Sequence, residues 1–152
     1  MTLEILDQPI NKTALYQMHV NLGAKLFPFA GFEMPVSYPD GIQSEYFAVR
    51  KEAGIFDVSH MGEFSISGNG AGKFLQRMTI NNVCKLQVGD AQYSAMCYPH
   101  GGIIDDLILY RKSDGYFMVV NAANIQKDYD WLNQNTPNDV KLENISEEIS
   151  LI

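Results

Sequence analysis

The chain has few thiols, a shortage of positive charge and no long apolar run. Of its 152 residues only two are cysteine, Cys84 and Cys97. They match neither a CxxC pair nor a dense disulfide framework, and two thiols alone cannot close a zinc site, so no metal centre is expected. A reducing compartment suits this usage. Eleven Lys and Arg against 18 Asp and Glu leave a formal net charge of −7, which argues against a phosphate-tracking nucleic-acid surface. No apolar stretch approaches the roughly 20 residues that span a bilayer, so no membrane segment is expected. The start, MTLEILDQPIN, has neither a basic n-region nor an Arg-rich amphipathic pattern. The cytoplasm is therefore the expected location.

What is present is apolar material for one modest core: 46% hydrophobic and 11% aromatic residues exclude a disordered chain and predict one compact domain. Residues 1–12 are expected to form a poorly ordered extension. The last residues, ISLI, read as the start of a strand with no polar tail after it, so the chain is expected to be part of something longer.

Thr13 is placed to cap a helix whose apolar positions Leu15, Met18, His19 and Leu22 follow a 3.6-residue stripe, with Gly23 ending it. The stretch Lys25 to Gly41, rich in proline, turn formers and aromatics, predicts an irregular, well-packed loop. Ser44 opens a second helix that Gly54 stops. Phe64 to Ile66 alternate like a half-buried strand, and Phe74, Leu75 and Met78 lie at helical spacing.

From residue 91 the period becomes two. Three strands are predicted, 91–98, 103–111 and 116–122, separated by the turn signals PHGG and KSDG. Connections this short require antiparallel pairing. A helix over about 123–133, with Ile125, Tyr129 and Leu132 on one face, and a further strand in DVKLENIS complete an α+β fold: an antiparallel sheet with flanking helices.

Within the middle strand, IIDDLILYR, two carboxylates interrupt a β-branched run. Adjacent strand residues face opposite ways, so Asp105 and Asp106 cannot share a proton with each other. Both faces of the strand are otherwise apolar, which predicts a central, covered strand. With four-residue turns, Tyr98 pairs with Ile103 and Arg111 with Tyr116. Counting inward places Ala95 and Asn121 on either side of Asp106, and Tyr93 and Val119 on either side of Ile108. Tyr93, Asp106, Tyr110, Val119 and Asn121 then share one face, a floor suited to a flat, partly aromatic ligand. A simple Asp106–Asn121 hydrogen bond in a wet part of the sheet accounts for the same spacing, and the spacing leaves both open.

Other features read as structural. Ser59 and His60 are sequence neighbours, which are rarely oriented as nucleophile and base, and a satisfied structural histidine is expected. GNGAG at 68–72 lacks the Walker and dinucleotide-binding registers and reads as a plain turn. Met61, at the entry to a strand, is expected in the core or lining a pocket.

Four stretches, LGAKLFPFAGFEMP, AVRKEAGIFDVSHMGEF, AQYSAMCYPHGGIIDDLILYR and VVNAANIQKD, together resemble the aminomethyltransferase (T-protein) family of the glycine cleavage system, in the family's order and over nearly all of the chain after residue 12. The resemblance implies the first part of a three-domain folate-binding architecture. It also implies transfer of the methylene carbon of the lipoyl-bound aminomethyl group of H-protein to tetrahydrofolate, with release of ammonia and the dihydrolipoyl carrier. The family's catalytic aspartate falls on Asp106, and its folate contacts on Met61, Tyr93, Ile108, Tyr110, Val119 and Asn121. Further family ligands lie beyond Ile152, so these 152 residues alone are expected to be inactive. Folate-dependent demethylases, folate-binding accessory proteins and a non-catalytic fragment are the competing readings.

Overall fold

A computed structural model describes residues 10–152, so most of the predicted extension at 1–12 lies outside the described residues. Asn11 forms an isolated parallel bridge to Phe32. The chain divides into two compact units, one running to His60 and including Ile152, the other covering Met61–Leu151.

The first unit contains α1 (Tyr16–Asn21), β1 (Lys25–Phe29), β2 (Phe32–Ser37) and α2 (Ile42–Lys51). Three sequence expectations need correction here, the first being that Ser44 opens α2: the helix starts at Ile42 after Gly41, and Ser44 lies inside it. Residues 25–37 are an antiparallel hairpin, with Phe29 paired to Phe32, rather than an irregular loop. Its two-residue turn has Ala30 at φ 49° and Gly31 at φ 83°, the left-handed pair that matches strand twist. Pro28 and Pro35 are tolerated because each strand of a two-stranded ribbon has a free edge needing no N–H donor. In α1, Thr13 gives no cap: its hydroxyl donates to Asp57 Oδ2 at 2.7 Å instead. Met18 and Leu22 are 58% and 57% exposed, and the buried residue is His19.

The second unit builds on a five-stranded antiparallel sheet in the order β4-β5-β6-β3-β7. The strands are β3 (Gly62–Ser67), β4 (Ala91–Cys97), β5 (Ile103–Lys112), β6 (Gly115–Val120) and β7 (Lys141–Asn144). The helices are α3 (Ala71–Met78) and α4 (Ile125–Asn135). Phe64, Ile66, Leu107, Leu109, Met118 and Val120 alternate onto one face, where Phe74, Leu75 and Met78 of α3 and Leu132 of α4 join them in one buried cluster. Helical period in α3 and period two in the strands thus supply opposite sides of one core.

The central register follows the predicted count: Ala95 pairs with Asp106, Ile108 with Tyr93 and Val119, and Arg111 with Tyr116. The turns differ from the four-residue loops assumed. Lys112 pairs with Gly115, leaving a two-residue turn. At the other end the register shifts so that Cys97, not Tyr98, opposes Ile103. That shift turns Ile104 into the core, as a bulge does.

Candidate functional site

β5 is an interior strand, and alternation along it sends Leu107 and Leu109 to the helix-covered face and Asp106, Ile108 and Tyr110 to the other. The fully buried cluster on the first side fixes this choice, since a one-residue slip would put Asp106 in the core.

Asp106 is half-buried, and both of its oxygens accept hydrogen bonds. Asn121 Nδ2 donates to Oδ1 at 2.9 Å, and the Tyr93 hydroxyl donates to Oδ2 at 2.9 Å. Tyr93 reaches it diagonally from the neighbouring strand, over the small Ala95 that lies directly opposite. Donation to Asp106, reinforced by that residue's negative charge, holds the Tyr93 phenol above its ordinary pKa. Tyr93 is 66% exposed, so the Asp106–Tyr93 edge of this face is open.

Ile108 and Val119 form the next rung. Tyr110 and Phe117 form the one after it, with their rings 6.0 Å apart. Tyr110 therefore stands four residues from Asp106, about 13 Å along the strand, and touches the far side of the surface rather than the carboxylate. Met61 is half-buried one residue ahead of β3. The structure thus gathers Tyr93, Asp106 and Asn121 into one hydrogen-bonded group, with the half-buried Ile108 and Tyr110 and the buried Val119 continuing the same face. A cleft of about 200 Å³ lined by Ser65, Lys112, Asp114 and Phe117 lies at the opposite, β5–β6 turn end of the sheet, away from this group.

Asp105 projects to the helix side, where it meets Asp128 of α4. Burial alone would raise the Asp105 pKa, but hydrogen bonds from Asp128, Asn121, Asn124 and the Asp106 backbone N–H outweigh it and hold the group below the usual carboxylate range. Asp128 is fully buried. Burial first, and then Asp105, push it up to about 8. Asn121 links the two faces: its Nδ2 also donates to Asp105 Oδ1 at 3.1 Å.

Two further groups escape sequence reasoning. Glu63 is fully buried and neither of its carboxyl oxygens has a partner among the described residues; burial pushes it up to about 7. It pairs with Val119, on the same face as Ile108. Alternation with Phe64 and Ile66 makes it look like a solvent-facing residue, and only its full burial in the folded structure reveals otherwise. In the first unit, Asp57 collects Thr13, His19 at 2.9 Å and the Ser59 N–H at 3.0 Å, while His19 Nδ1 shares a 2.7 Å hydrogen bond with the Tyr38 hydroxyl. Burial would raise Asp57, but its bonds from His19, Thr13 and Ser59 hold it down at about 2. No periodicity joins residues 13, 19, 38 and 57, so no sequence signal could have found this network.

The Ser59–His60 pair is not a nucleophile and base, because Ser59 is engaged with Asp57. His60 packs edge-on to Phe29 and Phe32, and burial lowers its pKa. It is structural but not fully satisfied, since its buried Nδ1 has no partner among the described residues. Cys84 and Cys97 are both free thiols. Among the described residues no helix is long and apolar enough to cross a membrane.

Residues 15–152 match the family model described as the GCVT N-terminal domain. Curated relatives named aminomethyltransferase include that of Chloroherpeton thalassium, 58% identical over 142 residues covering 92% of this chain and 39% of the relative. The protein of the same name from Prosthecochloris aestuarii is 54% identical over 146 residues, covering 94% and 40%. Among solved structures, the glycine cleavage system aminomethyltransferase T from Bartonella henselae is similar with a TM-score of 0.84 at 33% identity, over 94% of this chain and 38% of that one. The chain thus spans about two fifths of the length of the relatives it matches.

Proposed function

Because the chain belongs to the GCVT N-terminal domain family, we propose that it forms the folate-contacting part of a glycine cleavage system aminomethyltransferase. In this reading the complete protein moves the methylene of the aminomethyl group carried on lipoylated H-protein to tetrahydrofolate, breaking its bonds to sulfur and nitrogen and releasing the dihydrolipoyl carrier and ammonia. The observation that carries the reading is the Asp106 carboxylate, held at both oxygens by Tyr93 and Asn121 on a sheet face whose Tyr93 edge is open.

The residues fit a flat, nitrogen-rich ring. Asn121 commits its amide N–H groups to Asp105 and Asp106, so the amide oxygen is the group left to accept from a ligand. Ile108, Val119 and Tyr110 provide an apolar and aromatic bed, and Met61 its margin. Tetrahydrofolate, when bound, supplies the nitrogen nucleophile that takes the methylene carbon. Asp106 stabilises cationic character developing at that carbon and takes up a proton from the attacking nitrogen. The Tyr93 and Asn121 donors fix its rotamer, so no reorganisation is needed as charge appears. The two free thiols support a cytoplasmic setting.

The test is tetrahydrofolate-dependent ammonia release from aminomethylated H-protein. The complete natural chain releases ammonia at an enzymatic rate, and the 152 residues alone do not. Folate binding by the complete chain without release would replace this reading by a folate-binding accessory protein.

A further inference from the structure

Behind Asp106 the sheet holds more carboxyl oxygen than donors to satisfy it. Asp128 projects from α4 and is fully buried, yet neither of its oxygens meets a donor among the described residues. Its hydrogen-bonding partner is another carboxyl, that of Asp105, itself 7% exposed. Two buried carboxylates in contact cannot both be ionised, so one proton must reside on the pair. Asp105 also accepts from Asn121 Nδ2 at 3.1 Å and so is the member better supplied with donors. The proton therefore sits on Asp128, which donates to Asp105.

This fixes the next link. An asparagine side chain flips between two orientations, and only one places its N–H groups between Asp105 Oδ1 and Asp106 Oδ1. A flipped Asn121 would aim its carbonyl oxygen at two carboxylate oxygens. Asp105 must remain an acceptor for that orientation to be enforced from the helix side, and it does so as long as Asp128 carries the proton. The groups facing Asp128 are Asp105 and Asp106 from β5 and Lys127 from its own helix, with Asn121 and Asn124 bonded to Asp105. Lys127 Nζ does not neutralise the pair directly: it donates to the Ile104 carbonyl at 2.8 Å and so ties α4 to β5.

We propose that Asp128 is a proton-holding positioning residue: as the neutral member of an Asp128–Asp105 pair it locks Asn121 in one amide orientation and thereby sets the Asp106 carboxylate for transfer. Asp128 touches no reacting atom, and it acts through Asp105 and Asn121. This rests on the folate-transfer reading for its consequence, but not for the chemistry of the pair.

The experiment compares Asp128→Ala and Asp128→Asn in the complete natural chain. An asparagine can donate to Asp105 but has no proton to lose. Asp128→Ala is expected to lower kcat roughly 100-fold with little change in the KM for tetrahydrofolate, the size of a small misplacement of a catalytic group. Asp128→Asn is expected to recover most of that loss and to lack the alkaline decline near pH 8 that the unmodified protein is expected to show. In parallel, infrared spectra of isotope-labelled aspartate read a protonated carboxyl at pH 7 that Asp128→Asn removes.

Equal loss in both variants, or an alkaline limb unchanged in Asp128→Asn, overturns the positioning role. Should Asp128→Ala fail to fold, the pH profile and spectrum of Asp128→Asn decide alone. A complete chain that performs no transfer breaks the functional reading, and the pair is then judged by the infrared band. A band lost in Asp128→Asn upholds it, and no protonated carboxyl at pH 7 removes it.

Discussion

Asp57 in the first unit and the Asp105–Asp106–Asp128 group in the second are both carboxyl sites on folded scaffolds, but their supply of donors is opposite. Asp57 has a side chain only 1% exposed, and donors from Thr13, His19 and Ser59 meet its oxygens. Nothing is left over for a ligand. In the second unit, three carboxyls share a handful of donors, one of which, Asn121, serves two of them at once. A carboxylate whose donors are complete locks a fold. A cluster in which a buried carboxyl meets only another carboxyl must retain a proton, and its exposed member keeps capacity for a substrate.

The largest contrast is expected from truncating each centre. Asp57→Ala strands His19 and Thr13 in a buried site and should destabilise the complete chain by about 3–5 kcal/mol, the usual size of breaking a buried pair on one side. Thermal unfolding reads this. Asp106 is half-buried and its donors are partly solvated, so Asp106→Ala should alter stability far less in the same measurement.

Titration should separate the two regions next. Asp57, held at about 2, contributes stability that is complete above the ordinary carboxyl range and is lost as pH falls through about 2. Asp128, raised to about 8, has the opposite sign. Its native state binds the extra proton, so its contribution is complete below about pH 4 and is withdrawn as pH rises through 8. Melting temperatures should therefore decline between pH 5 and pH 9, and Asp128→Asn should reduce that decline. Part of the slope should persist through Glu63, raised to about 7, and disappear in Asp128→Asn combined with Glu63→Gln.

The smallest effect is expected at the exposed donor. Tyr93→Phe removes one hydrogen bond to Asp106 while keeping the ring. It should slow transfer several-fold and leave the melting temperature nearly unchanged, as surface changes do. A stability loss comparable to that of Asp57→Ala would show that the two regions are not as different as their donor counts imply.

The same contrast explains what could be read in the sequence. The Asp106 site was legible because it is built by period two: PHGG and KSDG bracket a β-branched run, and counting from them brings Ala95, Tyr93, Ile108 and Val119 to their observed partners. The count survived errors at both turns because the two-residue turn kept the same pairing sum and the bulge at Ile104 lies beyond Asp106. The Asp57 network was illegible because its members come from segments 6 to 19 residues apart, with no shared period. The hairpin at 25–37 was hidden by its prolines, which usually mark loops but are harmless on the edges of a two-stranded ribbon. Glu63 and Asp128 were missed for another reason. Each sits in a pattern that reads as solvated, and only the packing of its element against neighbours shows that water is absent.

The most direct test of the account is single-turnover transfer by Asp106→Asn in the complete chain, with tetrahydrofolate binding measured on the same preparation. Binding is expected to be retained and the transfer rate to fall by about 100-fold or more, the range for removing a proton-transfer group. Unchanged turnover of aminomethylated H-protein would contradict this expectation.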